Sequence, residues 1–65
     1  MADLERVEHD IAMVQGALRR SWHDLGMLSL SSAERSREKA SIDANQERLA
    51  ELLTRRDELR SFAAF

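Results

Sequence analysis

Cysteine and proline are absent, glycine occurs twice, and aromatic residues make up 5% of the 65-residue chain. Without cysteine there is neither a disulfide nor a thiolate metal site. Without proline, and with Gly16 and Gly26 as the only glycines, almost nothing interrupts a helix locally, and strands are not expected. Long apolar runs are missing as well, since no stretch approaches the roughly 18 residues needed to span a bilayer. The opening Met1-Ala2-Asp3-Leu4-Glu5 carries acids where a secretory signal carries lysines. A soluble, cytoplasmic protein is the expectation that follows. Charge of one sign is also lacking: ten cations against twelve carboxylates give a net −2. That balance excludes a surface devoted as a whole to nucleic acid or an anionic membrane, and leaves room for local patches.

What is present is alanine, leucine, glutamate and arginine in helical order. Read in sevens, Leu4, Ile11, Leu18 and Leu25 occupy one seam position, and Val7, Val14, Ser21 and Leu28 the other. Apolar residues alternating at spacings of three and four mark a helix packed along its length against a neighbour. Asp3 is placed to cap its start. Gly26 is the natural stop, supplying a left-handed residue that turns Met27 back against Trp22. Ser31-Ser32-Ala33-Glu34 has the form of a capping box, in which the Ser31 hydroxyl and the Glu34 carboxylate each satisfy the other residue's amide. A first helix over about 3–26, a connection at 27–30 and a second helix over about 31–62 follow, all within one domain spanning 1–65. So short a link makes the helices antiparallel neighbours.

The second helix is less regular. Ile42, Leu49, Leu52, Leu53, Leu59 and Phe62 form its stripe, while the same heptad places Arg35, Glu38, Asn45 and Arg56 at seam positions. Arginines at such positions are expected to lay their stems along the seam and hold the guanidinium in water. Asn45 either fixes register or turns its amide to solvent. Folding about residue 30 pairs positions whose numbers sum to about 60. Ile11 then meets Leu49, Val7 meets Leu52 and Leu53, and Leu18 meets Ile42, while Ser21 faces Glu38 and Leu25 faces Arg35. Glu8, Asp10 and Asp24 flank one seam and Lys39, Arg48, Arg55 and Arg60 the other, so the first helix prefers the second to a copy of itself. The fold class is therefore all-α, an antiparallel helical hairpin or two-helix coiled coil.

A chain this short buries only about 60% of its unfolded surface. Small scaffolds need a disulfide, a metal or a partner, and here the first is excluded. Dimerisation of the hairpin into a four-helix bundle is expected, burying both seams and the flanking Ala12, Met13, Ala17 and Trp22.

The inventory for chemistry is thin. Nucleophilic catalysis needs a hydroxyl or thiol with a base in reach, and the only histidines, His9 and His23, lie about 21 Å apart on one helix. No glycine-rich phosphate loop occurs. Glu5 and His9 stand one turn apart, but the facing helix brings mainly arginines, so they read as a solvated face. No catalytic residue, cofactor or metal site is expected, and the chain is not read as an enzyme.

Two surface features remain. Trp22, Met27, Leu28 and Leu30 crowd the loop, and Leu59, Phe62 and Phe65 crowd the end, where polar residues are usual. These seven are candidates for contact with a partner, either the second subunit of a homodimer or a larger protein. Residues 19–39 carry Arg19, Arg20, Arg35, Arg37 and Lys39 against three carboxylates, a net +2, whereas the first eighteen residues are net −3. That basic tip would suit nucleic-acid phosphates, with Trp22 available to stack on a base. The leading expectation is a non-enzymatic protein–protein interaction module that self-associates and acts as adaptor, chaperone or regulator of a larger protein. The alternative is a small RNA- or DNA-binding helical bundle.

Overall fold

A computed structural model of the chain describes residues 2–27 and 29–63. Leu28 and Phe65, two of the candidate contact residues, lie outside them. Two α-helices, α1 (Ala2–Met27) and α2 (Ser32–Ala63), pack against each other. The hairpin is a rod of 51 × 15 × 14 Å. Asp3, expected to cap the start of α1, lies inside the helix, which begins at Ala2. Asp3 and Glu5 sit in the first turn of α1 and Glu34 in that of α2, where the helix dipole favours negative charge, and Arg60 sits in the last turn of α2.

The start of α2 is a capping box. The Ser31 amide donates to Glu34 Oε1 at 3.1 Å and the Glu34 amide donates to Ser31 Oγ at 3.2 Å. The Arg35 amide donates to the Ser31 carbonyl at 2.9 Å, closing the first helical turn. Two amides that a helix start leaves without partners are thereby satisfied.

The end of α1 departs from expectation. Neither glycine has positive φ, and α1 runs through Gly26 to Met27. Gly26 is thus a tolerated helical residue and not a left-handed cap. Met27 and Trp22 are both largely exposed. A helix end that meets water loses little when its last carbonyls are hydrated, so a left-handed residue is not required.

Antiparallel packing is visible in what lies side by side. Arg60 Nη2 donates to Glu8 Oε1 at 2.8 Å, joining positions 52 residues apart in the chain. One shallow groove has Asp3, Arg6, Val7 and Asp10 on its α1 bank and Arg48, Glu51, Leu52, Arg55 and Leu59 on its α2 bank. Nearer the loop, Trp22 shares a groove with Lys39, Ile42, Asp43 and Gln46. Val7 beside Leu52 agrees with the folded-back register; of the expected charge flanks Arg60 and Glu8 pair across the helices, whereas Arg48 and Arg55 pair with Glu51 and Glu58 of α2 itself.

The seam is where the heptads put it. On α2 up to Phe62, every residue that is not exposed (Glu38, Ile42, Asn45, Leu49, Leu52, Leu53, Arg56 and Leu59) is a seam position or adjoins one. Arg35 is the seam residue that the structure leaves exposed, in the first turn of α2. Among the described residues only Ile11, Ile42 and Leu52 are buried apolar side chains, joined by Ser21.

Arg56 does not behave as expected of a seam arginine. Its side chain retains 29% of its exposure, and its Nε is buried without a hydrogen-bond acceptor. The nearest carboxylate, Asp57 Oδ1, stands 3.9 Å from Nε, beyond hydrogen-bonding range. Leu52 and Leu59 lie one turn away on either side and carry the seam past it, so the root of the guanidinium is drawn in with the stem.

Candidate interaction surface

Three buried apolar side chains are a small core, and the surface shows the other side of that deficit. Met13 (60%), Trp22 (54%), Met27 (71%) and Phe62 (80%) are large apolar side chains that keep more than half their area in water. Leu30 and Leu59 are half-buried, the latter as a seam residue. Of the candidate contact residues within the described segments, Trp22, Met27 and Phe62 are therefore available to a partner, and Leu59 mainly serves the hairpin. Met13 was not among those candidates. The signal that finds it is its spacing: fourteen residues before Met27, it occupies the same heptad position two repeats earlier.

The accessible surface of the chain is 5044 Å². A compact folded monomer of this mass exposes about 4,250 Å² by the usual scaling with mass, so the hairpin shows about 800 Å² in excess. A standard protein–protein interface removes about 800 Å² from each partner.

Charge is sorted along the rod. Arg19, Arg20, Arg35, Arg37 and Lys39 are all exposed, and among the described residues none of them has a carboxylate within 4.0 Å. Toward the open end three arginines are engaged, while Arg6 has no carboxylate within 4.0 Å among the described residues. Arg48 lies 3.6 Å from Glu51, Arg55 lies 3.6 Å from Glu58, and Arg60 binds Glu8. The loop end thus presents unneutralised positive charge, while the remainder of the chain holds nine carboxylates against five cations.

His9 and His23 are exposed, and His23 Nδ1 lies 3.6 Å from Asp24 Oδ1 of the adjacent residue. Among the described residues no three His, Asp or Glu side chains gather as a metal would require. The Glu34 carboxylate has a displaced pKa. The hydrogen bonds from the Ser31 hydroxyl and amide favour its carboxylate and hold it below the ordinary glutamate value. That is a helix cap and not a reactive group.

No described helix is long and apolar enough to cross a membrane. No family model, curated protein or solved structure matches this chain.

Proposed function

We propose that this chain is a non-enzymatic interaction module: a helical hairpin that dimerises into a four-helix assembly and presents the remaining surface to a larger protein as adaptor, chaperone or regulator. The observation that carries the reading is the mismatch between core and surface. Among the described residues three apolar side chains are buried and four large ones stand exposed, and the excess area is about what one partner contributes to a standard interface. Self-association uses that area without a second gene product, and small scaffolds without disulfides commonly depend on it.

The test is thermal unfolding followed by circular dichroism across a wide range of chain concentration. Association coupled to folding makes the melting temperature rise with concentration by mass action. A melting temperature independent of concentration, with full helicity at the lowest value, would refute dimerisation.

A second reading has one observation in its favour, the five loop-end cations with no carboxylate within 4.0 Å. In that reading Arg19, Arg20, Arg35, Arg37 and Lys39 neutralise nucleic-acid phosphates. Binding of a single-stranded or duplex oligonucleotide that weakens steeply with salt, and is lost in an Arg19→Ala, Arg20→Ala variant, would support it. Absence of binding at low salt would retire it.

A further inference from the structure

If two hairpins associate, one helix row is built to meet itself. Glu5, Ala12 and Arg19 follow at intervals of seven and lie along one line on the outer face of α1. All three are exposed. Among the described residues Glu5 has no cation, and Arg19 no carboxylate, within 4.0 Å. The row therefore runs acid, small, base, with about 21 Å between its charged ends. Laid antiparallel on a second copy and centred on Ala12, it brings Glu5 of each copy against Arg19 of the other. Laid parallel, it sets glutamate on glutamate and arginine on arginine.

On α2 the row at the same heptad position reads Asp43, Ala50 and Asp57, which repels itself in either orientation; the neighbouring row Arg37, Ala44 and Glu51 does run base, small, acid, but its Glu51 already lies 3.6 Å from Arg48. The whole-chain charge agrees with the α1 row, because antiparallel copies set the basic loop end of one beside the acidic open end of the other.

We infer that the docking partner of the outer face of α1 is a second copy of this chain, bound antiparallel through two symmetric Glu5–Arg19 contacts about Ala12. This rests on the self-association proposed above and adds its orientation and its contact residues. Trp22, one turn beyond Arg19, then lies within the covered area, as an aromatic anchor at an interface commonly does.

Charge reversal tests it. In Glu5→Arg each arginine faces Arg19 of the other copy, and in Arg19→Glu each glutamate faces Glu5, so either single variant should weaken the dimer by about five- to thirty-fold over its two altered contacts. The double variant Glu5→Arg, Arg19→Glu should regain wild-type affinity. An equimolar mixture of the two single variants should form a heterodimer tighter than either homodimer, a gain that misfolded variants could not give. Sedimentation equilibrium at low salt reads all four cases. Single reversals that leave a wild-type dimer constant unchanged, or a double variant that stays weak, would overturn the antiparallel contact while self-association stands. A wild-type chain that remains monomeric throughout would overturn both.

Discussion

Replacing Arg56 by leucine should make the protein more stable, which few substitutions do. Arg56 sits on the seam with 29% of its side chain exposed and its Nε buried without an acceptor. Leaving a buried donor unsatisfied costs about 1–3 kcal/mol. The compensating attraction is small: the Asp57 carboxylate is 3.9 Å away on the neighbouring residue and 73% exposed, so the pair is worth about 0–1 kcal/mol. Leucine nearly reproduces the carbon volume of the arginine stem that already packs between Leu52 and Leu59, so the loss of apolar contact is slight. The balance is a gain of about 1–2 kcal/mol, or a rise in melting temperature of roughly 4–16 °C for a domain of this size. Urea unfolding followed by circular dichroism, at one fixed chain concentration, gives the free energy directly. Arg55→Leu serves as the control, because Arg55 is 57% exposed and paired with Glu58, and it should show no comparable gain. A lower unfolding midpoint for Arg56→Leu would refute the reasoning and would mean that the guanidinium makes a needed contact in the assembled protein.

Three further outcomes follow from the packing. Leu52→Ala empties one of the three buried apolar positions and should cost about 2–5 kcal/mol, most of what a chain of this length possesses, read as loss of helicity at moderate urea. Gly26→Ala should stabilise α1 by about 0.5–1 kcal/mol, because Gly26 is helical with negative φ and open space where a methyl group would go; a drop in melting temperature would restore the left-handed cap. Ser31→Ala should cost about 1 kcal/mol through loss of the cap, and it should also flatten an acid titration. The Glu34 carboxylate has a lowered folded-state pKa, so its contribution is complete above the unfolded value and is lost as pH falls through the folded one. Helicity at acidic pH should therefore fall further in the wild type than in Ser31→Ala.

Much of the hairpin can be read from the residues alone, because each signal has a local physical cause. The heptads of both helices predict the half-buried and buried positions, and even polar entries such as Glu38, Asn45 and Arg56 occupy the seam. Ser31 and Glu34 sit three residues apart, and the two hydrogen bonds between them form as that spacing implies. Gly26 departs from expectation because glycine near a helix end is compatible both with a left-handed cap and with one more helical turn, and the choice is made by surroundings that the local sequence does not contain. The buried Nε of Arg56 was missed for a related reason. Periodicity tells which face a long side chain leaves from and not how far its polar head escapes. Of the candidate contact residues, Trp22, Met27 and Phe62 are exposed as a docking surface requires. Leu59 is drawn into the seam by its heptad position, and Leu30 is half-buried in the connection.

One hairpin leaves large apolar side chains exposed, and the proposed second copy covers them. Sedimentation equilibrium of the 65-residue chain at micromolar concentration addresses this most directly. The mass of a dimer, twice 7.5 kDa, with full helical circular dichroism is the expected result. A fully helical species at 7.5 kDa across the same range would contradict it.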